Sequence, residues 1–93
     1  MARLVVPGAL RADADGRRSI EIAGATVREA LDRLAAEVPR LERRLRDERG
    51  ALRQHVLVFV DAVDIRDAAG QDTALERESD VYVVAAMSGG FRG

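Results

Sequence analysis

The stretch "VVAAMSGGFRG" carries the residues whose types and spacing point most directly to chemistry. Gly89 and Gly90 stand together directly after an apolar run, and Phe91, Arg92 and Gly93 follow them. Two adjacent glycines at a chosen place arise by chance in under about 1 % of chains of average composition, so the pair asks for a reason. The rest of the chain is poor in reactive groups. Cysteine is absent, which removes disulfides, zinc–thiolate sites and thiol catalysis together. His55 is the only histidine. It sits at a strand start with no carboxylate partner at readable spacing, so a structural role is expected for it. The acidic residues form no metal-like spacing, and no Ser/His/Asp arrangement or phosphate loop is present. The chain lacks the equipment of an enzyme and is better described as a macromolecular substrate.

The elements that must position this segment fit one domain of 93 residues, 47 % apolar and 33 % charged, a foldable composition rather than a disordered one. A formal net charge of −1 gives no electrostatic argument for nucleic acid. "MARLVVPGAL" does not read as a secretory signal, and no apolar run approaches the roughly 20 residues that span a bilayer. Neither nucleic-acid nor membrane partners are expected, and the expected location is the cytoplasm. All 15 basic residues are arginine, so the chain offers no side-chain amine for an isopeptide bond.

Arg3 to Val6 is short, apolar and β-branched, as a strand would be, and Pro7 should mark its end because it cannot donate to a ladder. "DADG" (Asp13–Gly16) is turn chemistry, and Ser19–Ile22 alternates with the period of a half-buried strand. These predict an amino-terminal hairpin with a long connecting loop. In "TVREALDRLAAEV", Thr26 and Glu29 have the spacing of a capping box. Val27, Ala30, Leu31, Leu34, Ala35 and Val38 form one apolar stripe, and Pro39 ends or kinks the helix. "RLERRLRDERGALR" predicts a second, short helix with Leu41 and Leu45 one turn apart and Gly50 as its stop. Arg40, Arg43, Arg44, Arg46, Arg49 and Arg53 crowd this stretch, with Glu42, Asp47 and Glu48 among them. A phosphate-binding face is conceivable there, but mixed signs on a short helix usually mean a solvated surface. His55–Asp61 predicts a strand, Val63–Arg66 another that pairs with it across a tight turn at Asp61-Ala62, and Val81–Ala86 the last. A helical turn is expected near Thr73. The order predicts an α+β roll, one mixed five-stranded sheet with a main helix on one face.

Alternation assigns Val56, Val58, Val60, Val81 and Val83 to the helix side, where burial is worth about 1.5–3 kcal/mol each. Leu57, Phe59, Tyr82 and Val84 are then left on the open face. They are covered by loops, joined to a second copy, or offered to a partner, and docking is the reading preferred here.

The element order and the phrases "GATVREALDRL", "HVLVFVDAVDIR" and the terminal "SGG" resemble the ThiS/MoaD family of ubiquitin-like (β-grasp) sulfur carrier proteins, over Arg3 to Gly90. The length and the "RLRDERGALRQHV" insert look most like the CysO-type and archaeal small-modifier branch. The chain departs from the pattern in having Ala62 where the hairpin turn usually carries glycine, Glu78-Ser79-Asp80 where Gly-Asp is frequent, and Ala85-Ala86-Met87-Ser88 where the branch often has Pro-Ala-Val-Ala. The resemblance implies a β-grasp domain over residues 1–86, a flexible diglycine tail over 87–90 and an extension over 91–93 that is removed. It implies that an E1-like adenylyltransferase (MoeB/ThiF type), using ATP and a sulfur donor, adenylates the Gly90 carboxylate and turns it into a thiocarboxylate. A sulfur-accepting synthase would then take the sulfur in cysteine, molybdopterin or specialised-metabolite biosynthesis, while the carrier itself binds no cofactor. Gly89, without a Cβ, would let the acyl end thread a narrow active site, with Met87 and Ser88 as the tether. A JAMM-type zinc peptidase would cut between Gly90 and Phe91. By analogy with ubiquitin-like docking faces, Leu57, Phe59, Tyr82 and Val84 would meet the activating enzyme. Two other functions share these residues: a modifier joined to lysines of target proteins, and a plain interaction domain with an idle tail.

Overall fold

A computed structural model describes residues 1–85 of the chain. Five strands form one mixed sheet: β1 (Ala2–Val5), β2 (Ser19–Ile22), β3 (Val56–Val60), β4 (Val63–Asp64) and β5 (Asp80–Ala85), in the order β2-β1-β5-β3-β4. The central pair β1 and β5 is parallel, and every other pair is antiparallel. Helices α1 (Val27–Glu37) and α2 (Pro39–Leu45) supply the covering layer. The core lies between one sheet face (Leu4, Ile20, Ile22, Val56, Val58, Val81, Val83) and the helix residues Val27, Leu31, Leu34, Leu41 and Leu45. This is the expected α+β β-grasp roll.

The start of α1 follows from its sequence. The Thr26 hydroxyl accepts from the Glu29 amide at 3.2 Å, and the Glu29 carboxylate accepts from the Ala25 amide at 2.9 Å. The return bond thus lands one residue earlier than in the usual capping box. Pro39 does end α1, but it also opens α2 at the first helical position, with Val38 shared as cap. Proline fits there because its missing N–H would have had no helical partner. Gly24 approaches α1 so closely that an added Cβ would lie 2.7 Å from the Ala30 nitrogen.

Three local expectations are corrected and a fourth is met. Strand β1 runs one residue earlier than predicted, and the long loop after it holds a 3-10 helix, Gly8–Ala14, that buries Leu10 and Ala14. Strand β4 is only two residues, because the Asp64 carboxylate accepts from the Arg66 amide at 2.9 Å and starts a 3-10 turn that buries Ile65. The helical turn expected near Thr73 is present, as a 3-10 turn over Gly70–Asp72 with Thr73 as its cap. Helix α2 stops at Leu45 rather than near Gly50; Arg46 is extended (φ −125°, ψ 152°) and bridges to Leu52. Gly50 (φ 82°) instead turns the loop that follows.

The side chain of Arg46 explains that early stop. It is buried, and its guanidinium donates to Glu42 at 2.8 Å, Asp32 at 2.9 Å and Gln71 at 3.2 Å. One cation therefore ties α1, α2 and the 70s loop together. Removing one partner of a buried ion pair strands the other charge. Arg46→Ala is expected to lower the unfolding free energy by about 3–5 kcal/mol, read from the urea midpoint at unchanged slope. The double change Arg46→Met with Glu42→Met should recover most of that loss.

At the β3–β4 turn, Asp61 and Ala62 both have positive φ, 48° and 76°, the signature of a type I′ hairpin. Asp61 is held there by its carboxylate, which accepts from the Asp80 amide at 2.9 Å. Ala62 has no such compensation and carries the left-handed penalty of its Cβ. Ala62→Gly should therefore stabilise the protein by about 1 kcal/mol, measured in the same denaturation series.

Candidate functional site

Alternation along β3 and β5 sends one set of side chains into the core and the other to the face that no helix covers. Val56, Val58, Val60, Val81 and Val83 are buried as expected. Leu57 and Phe59 are half-buried, while Tyr82 and Val84 are 43 % and 46 % exposed. The antiparallel register makes Leu57 the direct partner of Val84 and Phe59 the direct partner of Tyr82. The four residues singled out from sequence thus form a two-by-two apolar block. Sequence reading missed a fifth: Val5 on β1 is the parallel partner of Tyr82 and is half-buried. The signal was available in the alternation of Arg3 and Val5 against Leu4 and Val6, but it needed the knowledge that β1 lies beside β5.

The rim of this block is polar. Arg3, beside Asp80 and Glu21 in register, makes an ion pair with Asp80 at 3.1 Å. At the other edge Asp64, the partner of Phe59, pairs with Arg66 at 2.8 Å. The Arg66 side chain and then its backbone N–H hold the Asp64 carboxyl below the ordinary carboxylate range, and the same pairing raises Arg66. An apolar centre with a charged rim is the anatomy of a protein–protein contact.

Gly89, Gly90, Met87, Ser88 and Phe91 lie outside the described residues, as do both expected boundaries of the tail. The described chain reaches Ala85, which pairs with Val56 at the end of β5. Five residue steps separate Ala85 from Gly90, so at about 3.3–3.6 Å per residue Gly90 lies no more than about 18 Å from Ala85. Ala85 also borders a groove of about 350 Å³ lined by Leu10, Arg43, Arg44, Arg53 and His55. His55 is exposed at the mouth of that groove rather than built into the core. Among the described residues no group of three His, Cys, Asp or Glu is placed to hold a metal ion, and no helix is long and apolar enough to cross a membrane.

This architecture, a mixed five-stranded β-grasp sheet with helices on one face, is shared with known proteins. The sequence profile of the ThiS family matches residues 5–90. CysO of Mycobacterium tuberculosis superposes with a TM-score of 0.85 at 26 % identity, over 94 % of this chain and 100 % of that one. CysO of Amycolatopsis orientalis, solved in complex with BexX, gives a TM-score of 0.87 at 25 % identity, over 94 % and 97 %. The small archaeal modifier protein SAMP1 of Haloferax volcanii gives 0.75 at 26 % identity, over 94 % and 96 %. A search of curated proteins by sequence gives no match. The chain belongs to the ThiS family and is a ubiquitin-like protein of the sulfur carrier and modifier type.

The face and the core respond differently to substitution. Val84→Ser, on the open face, should change stability by no more than about 1 kcal/mol. Val83→Ala, one residue back and pointing inward, should cost about 1–3 kcal/mol. Equal losses in thermal or urea unfolding would mean that the open face is covered in solution.

Proposed function

We propose that this protein is a sulfur carrier whose acyl end is Gly90. The observation that supports this most strongly is where the family match stops: it runs through Gly90 and leaves Phe91, Arg92 and Gly93 outside. In this reading residues 1–86 are the domain, 87–90 the tail, and 91–93 an extension. A JAMM-type zinc peptidase hydrolyses the Gly90–Phe91 bond, adding water and freeing the Gly90 carboxylate. An E1-like adenylyltransferase joins that carboxylate to the α-phosphorus of ATP with loss of pyrophosphate, and sulfide released by a sulfur donor then attacks the acyl carbon and displaces AMP to leave the thiocarboxylate. A synthase takes the sulfur for cysteine, molybdopterin or a specialised metabolite. These proteins carry the catalysis, and the carrier itself needs no cofactor.

The carrier supplies presentation. Gly89 and Gly90 lack the Cβ atoms that would collide with the walls of a narrow channel, and Met87 and Ser88 set the reach. Leu57, Phe59, Tyr82, Val84 and their neighbour Val5 dock the activating enzyme. The A. orientalis CysO was solved together with a separate protein, BexX, which supports docking on a partner as the working mode of this fold.

The similarity to an archaeal small modifier favours a second reading, in which Gly90 is joined to target lysines. The absence of lysine from this chain means that such a modifier would attach singly rather than as lysine-linked chains. Denaturing blots of cell extracts separate the two, since a modifier appears as higher-mass adducts.

The deciding experiment incubates the chain ending at Gly90 with ATP, the adenylyltransferase encoded in the same genome and a sulfide source. Intact-mass spectrometry should show the increment of one oxygen replaced by sulfur, and the same treatment of the 93-residue chain should leave it unchanged. A trimmed chain that stays unmodified would overturn the reading.

A further inference from the structure

The arginine-rich insert reads in sequence as a mixture of signs, but the fold sorts those signs. Glu42 is turned inward and consumed by Arg46. Asp47 spends its carboxylate on the amides of Ala51 at 3.1 Å and Arg49 at 2.8 Å, which with the charges of Arg49 and Arg53 hold its pKa low. Glu48 lines a neighbouring groove, with Glu42, Arg46, Asp47, Arg49 and Gly50, that meets the Ala85 groove at Arg43. What remains around the groove at Ala85 is Arg43, Arg44, Arg53 and His55, with no acidic residue in its lining.

These guanidinium groups are arranged rather than scattered. The Arg53 Nε donates to the Arg43 carbonyl at 2.8 Å, so this side chain is fixed while its terminal nitrogens bond to no group among the described residues. Arg44 is steadied by Asp13 at 3.1 Å, and Arg43 makes no ion pair among the described residues. Arginine forks match carboxylate groups bidentately. The groove's position also selects its occupant: Ala85 forms part of its wall, so anything seated there lies at the root of the segment leading to Gly90.

We infer that the Arg43/Arg44/Arg53 groove is a second contact site, separate from the apolar sheet face, that takes the carboxylates of an acidic segment on the protein receiving the tail. The identity of that partner as the activating enzyme rests on the sulfur-carrier reading; the acidic chemistry rests on the groove alone. The sheet face supplies apolar contact area, while the groove steers the encounter and sets the direction in which the tail is offered.

Two measurements test this together. In the first, the ¹⁵N-labelled chain is titrated with a tetraglutamate peptide at low salt. Amides of Arg43, Arg44, Arg53, His55 and Ala85 should shift saturably. The shifts should disappear in about 0.5 M NaCl, where the Debye length is only about 4 Å, and should be absent in Arg43→Glu. No shifts, or equal shifts in Arg43→Glu, would overturn the inference. Tighter binding of a thymidine oligonucleotide than of the peptide would overturn it in favour of nucleic acid. In the second, ATP–pyrophosphate exchange by the adenylyltransferase is followed with the carrier ending at Gly90. Arg43→Glu should raise KM about tenfold at low salt with kcat unchanged, and Arg43→Lys should largely restore it. The wild-type KM should climb with salt while that of Arg43→Glu stays flat. Equal KM values for wild type and Arg43→Glu would remove the groove and leave the carrier reading intact. No exchange by the wild type, with peptide shifts still present, would remove the carrier reading and leave the groove.

Discussion

Both helices cover the same face of the sheet, and the strands alternate. That geometric constraint shapes the surface on which the molecule can act. Because side chains on a strand point to opposite faces, β3 and β5 cannot bury Val56, Val58, Val60, Val81 and Val83 without presenting Leu57, Phe59, Tyr82 and Val84 on the other side. The β1–β5 parallel pairing at the centre extends the row to Val5. An ordinary one-sided sheet would hold polar residues at such positions. Here the polar residues are displaced to the edges, in the Arg3–Asp80 and Asp64–Arg66 pairs. The open face is therefore specified against water at its centre and in favour of it at its rim.

The insert after α1 solves a different problem. A short helix ending in a loop has little apolar surface with which to hold itself down, and Leu41 and Leu45 provide only one line of contact with the core. Arg46 adds a second, directional attachment through Glu42, Asp32 and Gln71. Its consequence reaches the surface. Once Glu42 is committed inward, the remaining charges of the segment can segregate, and Arg43, Arg44 and Arg53 are left gathered at one end of the sheet. A buried ion pair thus organises an exposed charge pattern, and the interior and surface of this segment cannot be understood separately.

Much of the fold was legible because periodicity and capping are local signals. The Thr26–Glu29 spacing, the stripe from Val27 to Leu34 and the alternation of β3 and β5 all carry their meaning within a dozen residues. The 3-10 helix at Gly8–Ala14 was illegible, since its buried residues, Leu10 and Ala14, are too few to show a period. The end of α2 was misplaced for an opposite reason. Gly50 looked like a helix stop, yet the stop was set by the tertiary partners of Arg46, one of them 25 residues away at Gln71. Likewise the charges of the insert looked mixed because sequence order hides which carboxylates are already engaged. Nothing local in the sequence placed His55 beside Arg43 and Arg44, which lie across a loop from it. What sequence could not supply was pairing at a distance, and Val5 was missed on the same account.

The two surfaces meet at the end of β5, the last strand before the segment that leads to Gly90. Val84 belongs to the apolar face, and the next residue, Ala85, belongs to the basic groove. A partner that engages both surfaces must straddle the last strand, and it does so within reach of the segment that follows. Five residue steps lead from Ala85 to Gly90, at most about 18 Å of chain, so on the sulfur-carrier reading such a partner would meet the diglycine within a small volume. Fixing the strand that precedes a short tether raises the effective concentration of its end without any contact to the tether itself. On the sulfur-carrier reading the chemistry would fall to the plainest residues in the chain, because the sheet and the insert would supply the recognition that two glycines lack.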